Sequence, residues 1–272
     1  MRVLVVTAVP AEADSVSAGL AVALPGAAAT TVALPGGRTL RRRTGAGATV
    51  DVLSAGVGPA AAAAGTAAAL TAAAYETAGA GAGAHETAGA GAGAYETAGA
   101  GAGGAVYDLV VSAGIGGGFP HAAPLGALVV ADAIVAADLG AGTSDGFLTV
   151  DELGFGRSAH TPSPLSARIA KAVGAAHGPV LTVSTVTGTA ARTDELMRRH
   201  PRAAAEAMEG FGVAEAAAAH SVPVAEIRAV SNAVGPRDRA AWRIGDALEA
   251  LRRAFEQLGP VFEGPVPKEG AR

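Results

Sequence analysis

Val106-Tyr107-Asp108-Leu109-Val110-Val111-Ser112, running on through Ala113 into Gly114-Ile115-Gly116-Gly117-Gly118, is the stretch on which the fold turns. Its first half is a short apolar run of β-branched residues, the pattern of a strand covered on both faces. Its second half holds more glycine than a turn requires and suits a loop where backbone approaches a ligand closely. Upstream, the pattern predicts a strand (3–9), a helix (11–23), a hairpin (about 30–44) around Pro35-Gly36-Gly37, a strand (48–54) and a helix (58–75). Downstream it predicts a strand (127–136), a Gly-rich loop (138–155), a helix (163–174) and a strand (179–186). Helices at 193–198 and 203–219, a strand at 222–230 and a closing helix at 238–258 complete the chain. The closing helix places Ile244, Leu248, Leu251 and Phe255 at helical spacing. Strands alternating with helices define a three-layer α/β/α protein with a central parallel or mixed sheet. A single domain over 1–272 is expected, interrupted by one insertion.

That insertion lies at about 75–104, where a decapeptide opening on Tyr75-Glu76-Thr77 recurs from His85 and again from Tyr95. Glycine at every second position weakens helix and strand alike, and the unit has little to bury, so a flexible segment is expected. Across the chain Ala and Gly make 110 of 272 residues, so the 50% apolar composition overstates the area available to a core. The Val, Leu and Ile runs still suffice for one. A net charge of −4 with no long basic stretch argues against a nucleic-acid binder. The absence of cysteine excludes disulfides and thiolate metal sites. Six scattered histidines, with no H-E-x-x-H, G-x-S-x-G or Walker sequence, leave metal catalysis without support.

Met1 to Val9 reads either as a buried first strand or as a signal peptide whose apolar region is short and weakly basic. The uncharged stretch from Ala55 to Tyr75 is long enough to span a bilayer, but it is nearly all Ala and suits a soluble helix better. A cytoplasmic protein with no membrane contact is the expectation.

Two glycine-bearing segments and four polar groups are the chemical candidates. Gly56-Val57-Gly58-Pro59-Ala60-Ala61 has the spacing of a dinucleotide loop opening a helix, or of a simple tight turn. Arg38, Arg41, Arg42 and Arg43 form either a phosphate patch or a solvated edge strand. Glu12 follows the first strand, Glu209 lies in Met208-Glu209-Gly210 on a predicted helix, and Ile227 to Asn232 is a strand delivering Ser231-Asn232 at its carboxyl end. Ligands of open α/β sheets bind at that end.

Taken in order, Ala8 to Glu12, the run from Gly56, the run from Gly114, Met208-Glu209-Gly210 and Ile227-Arg228-Ala229-Val230-Ser231-Asn232 resemble the nucleoside phosphorylase and nucleosidase family. The resemblance covers the chain apart from the repeats. Asp138 to Phe147, Glu152 to Gly156, Met208 to Gly212 and Ser231 to Asp238 are similar to a branch that splits hypoxanthine from its nucleoside by hydrolysis. The resemblance implies a nucleoside phosphorylase-like fold and no cofactor. It also implies a small-molecule nucleoside as substrate and a homo-oligomer, dimer or higher.

It assigns Glu12 to activating water and Asn232 to the base, the two catalytic candidates, and Glu209 with Met208 to the ribose. Gly116, Gly117 and Thr189 join the substrate-binding set. The base-contacting acid of adenine-releasing relatives is Asn232 here, which donates through its amide but supplies no proton. The glutamate those enzymes carry two residues before Glu209 is Ala207. The substrate implied bears a benzoate group, for which Arg192, His160 and Arg237 are candidate cations. The stretches 138–147 and 185–189 are expected beside the base. A methylthioadenosine-type nucleosidase or a purine nucleoside phosphorylase is the alternative within enzymes. A non-catalytic nucleoside binder or a dehydrogenase on the Gly56 turn stands further off.

Overall fold

The computed structural model describes residues 1–81 and 106–264. The chain opens with β1 (Arg2–Thr7), α1 (Pro10–Ala23), β2 (Ala28–Ala33), β3 (Thr39–Thr44), β4 (Thr49–Ser54) and α2 (Pro59–Gly81). It continues with β5 (Leu109–Gly118), β6 (Leu128–Ala136), β7 (Gly140–Thr143), β8 (Gly146–Thr149), β9 (Ala159–His160), α3 (Leu165–Val173) and β10 (Ala176–Thr182). Then come α4 (Ala190–Arg199), β11 (Ala205–Ala207), α5 (Gly210–Ala219), β12 (Val224–Ala233), α6 (Ile244–Glu256) and α7 (Gly259–Glu263).

Ten strands form one mixed sheet in the order β11-β10-β6-β12-β5-β1-β4-β3-β2, with β9 paired to β6. The central strands β1, β5 and β12 are buried on both faces, as their apolar runs require, while β2 at the edge is exposed. In β1, Val3 and Val5 join one core with α1, α3 and α6, while Leu4 and Val6 join another with α2 and α5. This is the two-residue alternation of a strand feeding two layers. Each fully buried Leu or Phe in these layers stabilises the fold by roughly 1.5–3 kcal/mol. The mixed α/β/α expectation therefore holds.

The sheet also curls. β11 pairs in parallel with β10 and antiparallel with β5, so five strands return upon themselves. The Gly114–Gly118 run, expected as a loop, is the second half of β5 and lies inside this closure. A strand bonded on both sides supplies the pairing that glycine's weak propensity does not. The stretch 203–219, expected as one helix, is β11 followed by α5. Alanine's helix propensity yields there to pairing on two sides. The expected 138–155 loop contains the β7–β8 hairpin, and the closing helix expected over 238–258 is a short 3₁₀ turn followed by α6, with α7 coming after it.

Of the basic hairpin, β2 is the sheet edge and β3 lies inside it. Arg42 bonds the buried Asp51, which also accepts the Tyr107 hydroxyl at 2.6 Å. Burial and the Asp51 charge push that phenol up. Helix α2 runs past the expected end at 75 through the first seven residues of the repeats, and Arg2 and Arg42 both reach Glu76 there. The remaining repeat residues, 82–104, expected as flexible, lie outside the described residues. Among the described residues, no helix is long and apolar enough to cross a membrane.

Candidate active site

The carboxyl ends of β1, β4, β5 and β12, with β11 and the start of α5, surround a cavity of about 260 Å³. Glu12 enters it from the first turn of α1. Its Oε2 accepts from the N–H groups of Ala8 and Val9 at 2.9 and 3.2 Å, so the side chain caps its own helix. Its Oε1 accepts from the Ile115 N–H at 2.8 Å. That geometry needs a residue without Cβ at 114. A Cβ there would lie 2.5 Å from Glu12 Oε1 and 2.9 Å from Arg228 Nη1. The glycine run is thus the clearance that lets a carboxylate and a guanidinium meet over β5.

Glu209 sits at the junction of β11 and α5, the N-cap position of that helix, where the sequence suggested a helix interior. Its Oε1 accepts from Gly58 N–H at 3.2 Å, in the turn that opens α2, and its Oε2 accepts from Arg228 Nη1 at 3.1 Å. The Gly56 segment is therefore a turn with both glycines at positive φ, and its amide is spent on Glu209.

Arg228 is fully buried on β12. It donates to Glu226 Oε1 at 2.8 Å and to Ser112 Oγ at 2.8 Å as well as to Glu209. Three carboxylates, Glu12, Glu209 and Glu226, surround this one guanidinium. Burial opposes its charge, yet the carboxylates hold its pKa above the ordinary value. Burial pushes Glu12 up, against the pull of the Ile115 amide and Arg228. Glu226, fully buried with Oε2 unpartnered, is pushed up for the same reason, against Arg228. Three carboxylates around one guanidinium make a surrounding that would stabilise positive charge placed in the cavity.

Met208, Gly116, Gly117 and Asn232 line the same cavity. Asn232 accepts from Ser231 Oγ at 2.9 Å and donates one N–H to the Ala233 carbonyl at 3.0 Å, which leaves its second N–H for a ligand. Thr189 is absent from the cavity wall; it is exposed and caps α4 by accepting from Arg192 N–H at 3.2 Å. Thr187, two residues earlier, holds the wall instead, with Val186.

Among the three cations, Arg192 bonds Glu195 and His160 bonds Glu215, and neither lines the cavity. Arg237 lines it, with its guanidinium 5.5 Å from the Trp242 ring centroid. The 138–147 segment does not reach the lining. Glu206, Arg228 and Glu226 were not singled out from the sequence. The signal available for the last two was a pair of opposite charges two residues apart in an otherwise apolar strand, hence on one face.

The chain belongs to the phosphorylase superfamily, whose family model matches residues 2–261. Among curated relatives it is 57% identical over 270 residues to a futalosine hydrolase of Streptomyces coelicolor, covering 99% of this chain and all of that one. It is 43% identical over 265 residues to a futalosine hydrolase of Acidothermus cellulolyticus, covering 95% and 91% of the two chains. Among solved structures, the native futalosine hydrolase of Helicobacter pylori superposes with a TM-score of 0.71 at 14% identity, covering 95% of this chain and 97% of that one. A 5′-methylthioadenosine/S-adenosylhomocysteine nucleosidase of Colwellia psychrerythraea in complex with adenine gives 0.70 at 20% identity, covering 98% of each. These two share the fold.

Proposed function

We propose that this chain hydrolyses the N-ribosidic bond of futalosine, releasing hypoxanthine and dehypoxanthine futalosine, a step toward menaquinone. The observation that carries this is full-length 57% identity to a curated futalosine hydrolase. The geometry supports it. Glu12, pushed up by burial, takes the proton of a water that attacks the anomeric carbon. The C–N bond breaks through an oxocarbenium-like sugar, by analogy with O-glycoside hydrolysis. Its electron pair leaves on the purine, where the free N–H of Asn232 donates to the O6–N7 edge, and the proton taken by Glu12 returns through solvent to the purine anion, giving hypoxanthine and restoring the carboxylate. Glu209 holds the ribose hydroxyls beside Met208. Gly116 and Gly117 form the floor under the base.

The methylthioadenosine-type reading is not favoured. The phosphorylase reading has no free cation beside Glu12 among the described residues: Arg228 is held by Glu226, Glu209 and Ser112, and Glu12 beside it would repel phosphate. The hairpin arginines do not line the cavity. The chain works as one domain, in the cytoplasm and as a homo-oligomer.

Chromatography of futalosine, inosine and methylthioadenosine, each with and without phosphate, tests the proposal. Phosphate-independent release of hypoxanthine from futalosine is expected. Adenine from methylthioadenosine, phosphate-dependent cleavage of inosine, or no release at all would overturn it.

Arg237, over Trp242 at the cavity wall, is assigned to the benzoate carboxylate. Arg237→Gln is expected to raise KM for futalosine by about tenfold, the scale of one charge-assisted bond, with kcat little changed. An unchanged KM removes it from that role.

A further inference from the structure

Glu206 is a carboxylate in the cavity wall that the mechanism above does not use. It is only 5% exposed. Thr187 N–H donates to its Oε1 at 2.8 Å, and the Thr187 hydroxyl donates to its Oε2. Each oxygen keeps a second acceptor site. Two bonds from one threonine fix the carboxylate's orientation without saturating it.

Register places this group relative to Asn232. On β11, Glu206 stands opposite Gly117, and on β12, Asn232 stands opposite the same Gly117. The two side chains therefore flank one glycine across the width of β5, with backbones about 10 Å apart at two strand spacings. A Cβ at 117 would lie 3.3 Å from the Asn232 amide nitrogen and 2.9 Å from Val234, so a larger residue would crowd the gap. What fits between is the edge of a flat heterocycle, with a donor facing it from Asn232 and an acceptor facing it from Glu206.

A 6-oxopurine presents the complementary edge: acceptors at N7 and O6, then a donor at N1–H. A 6-aminopurine presents a lone pair at N1, which would meet the carboxylate's lone pairs. We infer that Glu206 is the specificity residue for the base, accepting the N1–H of a 6-oxopurine whose O6–N7 edge is held by Asn232, and rejecting 6-aminopurines. The inference rests on the proposed function for its substrate, and supplies a base discrimination that Asn232, able to present either an N–H or an oxygen, does not give alone. A site built to pair one polar group discriminates against the analogue that leaves it unpaired far more strongly than an apolar pocket does.

Calorimetric binding of free hypoxanthine and free adenine tests this without requiring turnover. The wild-type protein is expected to prefer hypoxanthine. Glu206→Gln is expected to weaken hypoxanthine by tenfold to hundredfold, the loss of a charged acceptor. It should also narrow the preference, because the glutamine amide can turn an N–H toward the adenine N1. Thr187→Val, which removes only the hydroxyl that orients Glu206, should narrow the preference in the same direction by a smaller factor. That second variant carries the test if the first does not fold.

Equal weakening of both bases, or an unchanged ratio in both variants, overturns the role. A protein that prefers hypoxanthine but releases no base from futalosine overturns the proposed function and leaves Glu206 its place. One that hydrolyses futalosine with no preference between the free bases does the reverse.

Discussion

Glu12→Gln is expected to lower kcat for futalosine by about 10²-fold or more, with KM and the unfolding midpoint little changed. The amide keeps the shape of the side chain and an oxygen for the Ile115 N–H, so β5 and α1 remain joined; its NH2 can no longer accept from the Ala8 and Val9 N–H groups, the loss of one helix cap at about 1 kcal/mol. What it loses is the ability to take a proton from water. Turnover within threefold of the wild type would remove Glu12 from the mechanism. The wild-type pH profile is linked to the same group. Burial raises the Glu12 pKa, so the acid limb of kcat/KM should lie above the ordinary carboxylate range. Activity falls as pH drops through that value, because the protonated form is no base.

Arg228→Met should produce the largest loss of stability. The guanidinium is fully buried and answers three carboxylates. Removing it strands Glu226, which is fully buried and has one oxygen already without a partner. Removing one member of a buried ion pair costs about 3–5 kcal/mol, which corresponds to a Tm drop of roughly 6–20 °C for a domain near this size. Adding Glu226→Gln should restore part of that loss, since the stranded charge is what costs the fold. A single variant within about 1 kcal/mol of wild type, by urea unfolding, would mean that the cluster does not act as a charged unit. Activity should fall as well, because Glu209 is held by the same guanidinium.

The long, regularly patterned elements were legible. The first strand and helix, the hairpin and the strand ending in Ser231-Asn232 stand close to where the periodicity of the sequence puts them, because their apolar spacing coincides with their burial. The β5 glycines misled for a physical reason. Local propensity sees four residues that weaken a strand, whereas the folded sheet supplies partners on both sides and uses the missing side chains as clearance. The Ala-rich 203–219 stretch failed similarly, since three of its residues answer to neighbours far away in the chain. The placements of Glu12, Glu209 and Asn232 on the cavity followed from motifs in sequence order. Glu206 did not, because its significance comes from standing opposite Gly117, a pairing that no local pattern announces. Thr189 and Thr187 show the limit of resolution: a two-residue offset exchanges a helix cap for a cavity wall.

Strand β11, three residues long and bonded on both flanks, is the seam that closes the curled half of the sheet. It joins residues distant in the chain, so the entropy of bringing them together must be met before any bond there is gained. Glu206 lies within this seam and Glu209 just beyond it, while Glu12 comes from the first turn of the protein. Assembly of the candidate site is therefore tied to one of the most demanding events of folding. No part of the candidate site stands complete until the sheet has shut.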